Sequence, residues 1–167
     1  MSMDCEITRH GEGFLLEFDE VYPTTPDDLW EAVTTPERLA RWMTEYRGDL
    51  RVGGSWEAIA SDGSVWGVGE VTSCDPPRSF ETVWHAREEQ PTVLRVELAQ
   101  VDGGTRLRLR HEGVQSIYYG AGWHVYLEQL GRHVVDPLPT HADEAAWDRR
   151  FGELSGDYEE RFRALHG

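Results

Sequence analysis

The chain has 167 residues, 31 of them acidic and 16 basic, so its formal net charge is −15, and it contains no lysine. This balance opposes binding to nucleic acid and to anionic membrane surfaces, which both select cationic proteins. The length is typical of one domain with a substantial core, so we predict a single domain over residues 1–167, with its core over about 14–135 and a helical tail over 136–167.

Targeting signals and disulfide patterns are both missing from the sequence. No apolar run approaches the roughly 18 residues that a membrane-spanning helix needs, and the N-terminus lacks the apolar segment of a signal peptide. The two cysteines, Cys5 and Cys74, are far apart and form no CxxC pattern, so we interpret both as reduced and structural. These observations predict a cytoplasmic protein.

The first part of the chain predicts a hairpin followed by two short helices. Residues 5–9 and 14–22 alternate between apolar and polar side chains around a glycine-containing turn. Two Thr-Pro pairs follow, at 25–26 and 35–36, and each predicts a helix with the threonine as N-cap and the proline in the first turn.

The middle of the chain predicts a run of antiparallel strands separated by turns. The predicted strands cover residues 48–60 with a bend at Gly53-Gly54, 65–74, 79–86, 92–101 and 105–111. In the fourth of these, Leu94 and Val96 share one face while Arg95 and Glu97 lie on the other. Such alternation indicates a sheet with one covered and one solvated face.

The segment 111–135 carries the clearest long helical pattern, and we interpret it as the element around which the chain is organised. Its apolar and aromatic stripe consists of Tyr119, Trp123, Tyr126, Leu127, Leu130 and Val134. Gly120 and Gly122 weaken its first turn, and Pro137 and Pro139 predict its end. The covered face of the preceding sheet is the simplest partner for this stripe.

A second helical pattern, over residues 147–165, predicts a tail that packs back on the domain or against a second subunit. Ser155 and Gly156 are predicted to interrupt it.

The order of these elements resembles the helix-grip fold of the START and polyketide-cyclase-like superfamily (SRPBCC). The segments that carry the resemblance are PTTPDDLWEAVTTPERLARWM, GDLRVGGSWEA, GVGEVTSCDPPRSFETVW, GGTRLRLRHEGV and GWHVYLEQL. They are similar to motifs of the branch related to the C-terminal domain of activators of the heat-shock chaperone ATPase, and they cover roughly residues 14–135.

The resemblance implies an α+β, Bet v-like fold in which a curved antiparallel sheet wraps around a long C-terminal helix, with two short helices after the first strand. It also implies a cavity, but no fixed catalytic set. Nothing in the chain is similar to the N-terminal domain that anchors these activators to the chaperone, so direct chaperone activation is not expected.

Residues that face inward in such a fold are candidates for ligand contact. They are Trp42, Trp56, Trp66, Trp84, His111, Tyr118, Tyr119 and Trp123. Aromatic walls with a few polar tips suit a small, mostly apolar ligand. The alternative is that these side chains fill the core, because aromatic residues bury large areas with or without a ligand.

Glu70 is one candidate for acid–base chemistry. By alternation it shares the face of Trp66, where apolar neighbours would raise its pKa and make it a general base. The alternative is a carboxylate near the cavity mouth that pairs with Arg108 or Arg110, because a desolvated carboxylate without a partner is costly.

His111 is the other candidate acid or base, since it lies on the apolar face of its strand and close to the start of the long helix. Its alternative role is that of a hydrogen-bonded core histidine. His85 follows Trp84 and therefore points away from the cavity.

The sequence predicts neither a metal nor a cofactor, because it has no zinc-ligand spacing, no nucleotide-binding glycine motif and no serine nucleophile elbow. The leading hypothesis is a protein that binds an apolar or aromatic metabolite between sheet and long helix. One alternative is a polyketide cyclase-, dehydratase- or hydrolase-like enzyme, in which His111 or Glu70 moves protons and Tyr118 or Arg110 steadies an enolate. Another is a protein-interaction module, including a homodimer.

Overall fold

The computed structural model describes residues 5–86, 88–136 and 143–166. In chain order its elements are β1 (Cys5–His10), β2 (Gly13–Tyr22), α1 (Pro26–Thr34), α2 (Pro36–Trp42), β3 (Glu45–Gly48), β4 (Ser55–Ile59), β5 (Val65–Asp75), β6 (Ser79–Ala86), β7 (Thr92–Val101), β8 (Gly104–Val114), α3 (Tyr118–Val135) and α4 (Glu144–His166). Among the described residues, no helix combines the length and apolarity needed to cross a membrane.

The strands form one eight-stranded antiparallel sheet in the order β1-β2-β8-β7-β6-β5-β4-β3. Strands β3 to β8 follow one another as a meander, and the opening hairpin joins the sheet beside β8. The two short helices and α3 cover one face of this curved sheet. The helix-grip α+β fold predicted from the sequence is therefore confirmed.

Side chains on the two faces of the sheet differ as the alternation predicts. In β7, Leu94 and Val96 are buried, whereas Arg95 and Glu97 on the opposite face pair with each other at 2.8 Å between Nε and Oε1. Similar ion pairs along the outer face join Arg106 to Asp19 and Arg110 to Glu17. Solvated pairs contribute only about 0–1 kcal/mol each, so the covered face supplies most of the sheet's stability.

The predicted strand over residues 48–60 is wrong in its first half. The chain instead leaves β3 at Gly48, which has a φ of 120°, and returns only at Ser55. An added Cβ at Gly48 would overlap the backbone of Ser55, so only glycine fits this close approach between the two chain segments.

The two predicted helix caps differ in the structure. Thr25 caps α1 as expected, since its Oγ1 accepts a hydrogen bond from the backbone N–H of Asp28 at 3.2 Å. Thr35 makes no side-chain cap for α2. Thr35 is also the C-cap of α1, and its backbone N–H donates to the Glu31 carbonyl. This hydrogen bond to α1 holds the backbone at the junction of the two helices.

Helix α3 places Trp123, Leu127 and Leu130 against the covered face of the sheet, and all three are buried. It ends at Val135, as predicted. The two prolines predicted to stop it, Pro137 and Pro139, lie outside the described residues.

Helix α4 is continuous, and the predicted interruption at Ser155 and Gly156 is wrong. Its last turns are anchored in the core by Tyr158 and Phe162, which are 2% and 0% exposed, and the Phe162 ring meets the Phe14 ring edge-on at 4.8 Å. This burial outweighs the roughly 1 kcal/mol that a glycine costs within a helix. The prediction that the tail packs on the domain is confirmed.

Gly120 and Gly122 in α3 offer a matched test of this docking. A Cβ at Gly120 would lie 2.6 Å from Tyr158 Cδ1, whereas one at Gly122 would lie 3.8 Å from its nearest neighbour in Trp147. We expect Gly120→Ala to lower the free energy of unfolding by about 1–3 kcal/mol, because α4 must move. Gly122→Ala should be neutral or stabilising by up to about 1 kcal/mol. Urea denaturation measures both, and equal effects would contradict close α3–α4 packing.

Candidate functional site

The space between the sheet and α3 is almost filled by side chains. The cavity that remains has a volume of about 70 Å³, far below the roughly 300–1,000 Å³ of small-molecule pockets. The cavity expected from the sequence is therefore present but is not large enough for the expected ligand.

Trp42 and Trp56 line this inner cavity, and both are locked by internal hydrogen bonds. The indole N–H of Trp42 donates to the Ala32 carbonyl at 2.8 Å, and that of Trp56 donates to Thr82 Oγ1 at 2.7 Å. Buried indoles with satisfied N–H groups are typical of a packed core. For these two residues the geometry favours the core-filling alternative.

A larger opening, which we call the aromatic cleft, lies where β5 and β6 meet the N-terminal half of α3 and the start of α4. Its volume is about 330 Å³. The aromatic side chains on its walls include Trp66, Trp84, Tyr119, Trp123, Tyr126 and Trp147. Met43, Trp84 and Trp123 border both the cleft and the inner cavity, and so form the partition between them.

A β-bulge brings Trp66 to the cleft. Ile59 pairs with Val65, but the preceding Ala58 pairs with Gly67, so β5 carries Trp66 as one extra residue. The Trp66 ring packs on Trp84 with centroids 5.6 Å apart. The bulge breaks the alternation of β5 at this point.

The same bulge places Glu70 on the solvated outer face of the sheet, where it is exposed. The expectation that Glu70 shares the face of Trp66 is therefore wrong. It is also separated by two strands, β6 and β7, from β8, where Arg108 pairs with Asp19 and Arg110 pairs with Glu17. The proposed pairing of Glu70 with either arginine is likewise wrong.

The polar groups of the aromatic cleft form a short chain of hydrogen bonds. Trp84 Nε1 donates to Tyr119 Oη at 3.3 Å, and Tyr119 Oη donates to Glu89 Oε2 at 2.5 Å. Burial and the neighbouring Glu89 carboxylate raise the pKa of Tyr119, so the phenol stays protonated and donates. Sequence reasoning missed Glu89 because it lies in the turn after β6, where no periodic pattern marks it.

His111 is completely buried and fixed at both ring nitrogens. Trp123 Nε1, which can only donate, bonds to Nδ1 at 3.0 Å, so the proton of the neutral ring must lie on Nε2. Nε2 then donates to Thr92 Oγ1 at 2.6 Å, and Thr92 donates onward to the Trp84 carbonyl. Burial lowers the pKa of His111 to about 3. This geometry favours the core-histidine alternative over a proton-transfer role.

Because folded His111 stays neutral, the loss of stability caused by replacing it should depend on pH. His111→Leu leaves the Trp123 N–H unpaired, so we expect it to lower the free energy of unfolding by about 2–4 kcal/mol at pH 7.5. Below the unfolded-state pKa of about 6.5, the unfolded wild type binds a proton at His111 that the folded protein does not. The free energy of unfolding of the wild type therefore decreases as the pH is lowered. Its difference from that of His111→Leu shrinks by about 1.4 kcal/mol for each pH unit between about pH 6 and pH 4.

Urea denaturation at pH 7.5, 6 and 5 measures this difference. The exposed His85 provides the control, since His85→Leu should change stability by less than about 0.5 kcal/mol at pH 7.5. A difference that stays constant with pH would mean that folded His111 titrates normally.

The first turns of α4 supply the outer wall of the aromatic cleft. Trp147 and Phe151 stack with centroids 5.0 Å apart, and Trp147 also contacts Tyr126 at 5.4 Å. Tyr118 is 55% exposed and packs on Phe151 at the rim, so it does not face the interior as expected. The apolar pattern of α4 was predicted from the sequence, but the sequence does not show which surface this helix packs against.

A bidentate ion pair holds this part of α4 against α3. Arg150 donates from Nε and Nη2 to the two carboxylate oxygens of Glu128, at 2.9 and 3.0 Å. Glu128 is also 3.4 Å from His124 Nε2, and His124 Nδ1 lies 2.8 Å from Tyr158 Oη. The wall of the cleft is therefore tied to α3 by both polar and aromatic contacts.

A second opening, of about 500 Å³, adjoins the cleft and shares Met43, Trp66, Tyr126 and Trp147 with it. We call it the acidic groove, because its charged lining residues are Glu45, Asp143, Glu144 and Asp148. Among the described residues, no group of three or more His, Cys, Asp or Glu side chains is arranged to hold a metal ion.

The eight predicted ligand-contact residues thus fall into three groups. The aromatic cleft is lined by Trp66, Trp84, Tyr118, Tyr119 and Trp123. Trp42 and Trp56 line only the inner cavity, and His111 lines none of the three spaces. Five of the eight residues therefore line the opening at the mouth of the fold, whereas the other three belong to the packed interior.

The fold places the chain among helix-grip proteins of known structure. It is 24% identical to CalU16 from Micromonospora echinospora over 100% of both chains, with a TM-score of 0.77. It is 19% identical to EF2215 from Enterococcus faecalis, a conserved protein of unknown function, over 97% of this chain and 92% of that one, with a TM-score of 0.74. DynU16, a putative protein in the dynemicin biosynthetic locus, is 21% identical over 78% of this chain and 51% of that one, with a TM-score of 0.69. These similarities show the fold.

Residues 23–134 match the family described as Activator of Hsp90 ATPase homolog 1-like protein. The chain belongs to this family, and the resemblance found in its sequence is confirmed. No curated protein matches the sequence significantly.

Proposed function

We propose that the protein binds a small aromatic or apolar molecule in the aromatic cleft. The observation that carries this proposal is a preformed opening whose walls are aromatic side chains from four elements, β5, β6, α3 and α4. Its volume of about 330 Å³ lies at the lower end of the range for small-molecule sites. The inner cavity, at about 70 Å³, offers no comparable space.

The polar groups of the cleft support binding with a defined orientation. Tyr119, Trp84 and Glu89 form one connected polar edge, while the remaining walls are mostly apolar. A planar ring placed between Trp66 and Trp147 would gain aromatic contact of about 0.5–1.5 kcal/mol per ring beyond the burial of its area. The polar edge would then fix the position of a heteroatom on that ring.

Met43 gives the site a means of adapting to larger ligands. Its flexible, polarisable side chain borders the aromatic cleft, the acidic groove and the inner cavity. A change of its rotamer, which would break the 3.4 Å hydrogen bond from Tyr46 Oη to its sulfur, would open the cleft toward the inner cavity. The additional volume of about 70 Å³ would admit only the end of a longer apolar ligand.

The neighbours in structure give limited additional support. DynU16 is a putative protein of a biosynthetic locus for the natural product dynemicin, so a ligand of the natural-product type is compatible with this proposal. The enzymatic alternative has less support, because His111 lies outside the cleft and Glu70 lies on the outer face of the sheet. Tyr118 is at the cleft rim, and Arg110 pairs on the outer face.

Replacement of one wall tests the proposal. We expect 1-naphthylmethanol, a neutral bicyclic probe, to bind the protein and Trp147→Ala to weaken this binding about tenfold, because a large aromatic contact is lost. Isothermal titration calorimetry measures the affinity. Trp30→Ala is the control, since Trp30 is also half-buried but lines none of the three spaces. Equal weakening by both variants, or no effect of Trp147→Ala, would contradict binding in the cleft.

A further inference from the structure

The described charged residues that line the aromatic cleft and the acidic groove are all negative. Glu89 lines the cleft, and Glu45, Asp143, Glu144 and Asp148 line the groove, while no described arginine or histidine lines either space. The two openings share Trp66, Tyr126 and Trp147, so a ligand in one lies beside the carboxylates of the other. Any ligand that enters from this side therefore meets aromatic faces and negative charge together.

This imbalance is local and is not simply the acidic composition of the chain. On the outer face of the sheet, several carboxylates are paired with arginines, as in Arg106–Asp19 and Arg95–Glu97. Among the carboxylates that line the two openings, Glu45 is the only one with an arginine partner in the described part of the chain, namely Arg47 at 3.3 Å. The described residues provide no basic partner for Glu89, although it is half-buried among aromatic rings.

Glu89 is the carboxylate best placed to contact a ligand. Its Oε2 atom accepts from Tyr119 at 2.5 Å, which fixes the side chain at the edge of the cleft. A carboxylate that is partly removed from water without a counter-charge is costly, and a cationic ligand would remove this cost. The hydrogen bond from Tyr119 offsets it only in part, because the phenol is neutral.

The carboxylates of the acidic groove also affect the aromatic side chains that both openings share. Burial raises the pKa of Tyr126 to about 12, and the negative charges of Glu144 and Asp148 add to this effect. Their negative field therefore reaches the aromatic side chains that both openings share. Aromatic faces attract cations as well, with about 0.5–2 kcal/mol per well-placed contact.

We infer that the ligand of the aromatic cleft carries a cationic group: it is an aromatic or apolar amine whose ammonium lies between Glu89 and the shared rings of Trp66, Tyr126 and Trp147. This inference rests on the proposed function, because it specifies the chemical class of the molecule bound there. A carboxylate-bearing ligand would be repelled by the same groups. The site therefore discriminates by charge as well as by shape.

Three probes with the same ring system test the inference by isothermal titration calorimetry at pH 7.5 and low salt: 1-naphthylmethylamine, 1-naphthylmethanol and 1-naphthoate. We expect the amine to bind about tenfold more tightly than the alcohol, and 1-naphthoate to bind most weakly. Raising the salt concentration should reduce the advantage of the amine and leave the alcohol unchanged.

Variants that each remove one negative charge identify the carboxylates that cause the preference for the amine. Glu89→Gln, which keeps an acceptor for Tyr119, should weaken the amine about fivefold more than it weakens the alcohol, and Asp148→Asn should weaken the amine about threefold more than the alcohol. The exposed Asp157 on the same helix provides the control, since Asp157→Asn removes one charge away from both openings and should leave the amine unchanged. Unchanged amine affinity in Glu89→Gln would overturn the inference.

The outcomes separate this inference from the proposed function. If the alcohol binds as tightly as the amine and Trp147→Ala weakens both, the cleft is a binding site without charge selection, and only the inference fails. If none of the three probes binds, both fail. Selective binding of the amine that is lost in Glu89→Gln and kept in Asp157→Asn supports both.

Discussion

The packing of α3 against the curved sheet is the constraint on which the rest of the structure depends. Tryptophan side chains supply much of that contact, and a buried indole N–H without an acceptor is costly. Trp42 and Trp56 use a backbone carbonyl and a threonine, and Trp123 uses His111. Because these bonds fix the rings in place, the aromatic side chains fill the interior and leave it nearly solid.

A filled interior moves the available binding space to the mouth of the fold. There Trp66 and Tyr119, which are only partly buried, retain free ring surface, and α4 closes the open side with Trp147. The Glu128–Arg150 pair and the burial of Phe162 hold α4 in this position. The cleft thus depends on the same contacts that stabilise the tail.

Periodicity predicted most of the fold, because strands and helices of this protein bury one regular face. The alternation of β7 and the stripe of α3 were sufficient to predict the sheet, its covered face and the helix across it. The candidate site was predictable only in part. One extra residue at Trp66 reverses the faces of β5 beyond it and so misplaced Glu70. Trp147 and Glu89 meet the cleft only through tertiary packing, which no local pattern records.

One wall of the cleft lies outside the segment that the family match covers, since that match ends at residue 134 and α4 begins at Glu144. Trp147 and Phe151 take no part in the sheet's hydrogen bonds and do not line the cavity beneath α3. Substitutions at these two positions would alter the shape of the opening without changing the walls of that cavity. This part of the cleft wall can therefore vary without a change in the sheet, so the shape of the opening is partly independent of the sequence over residues 23–134.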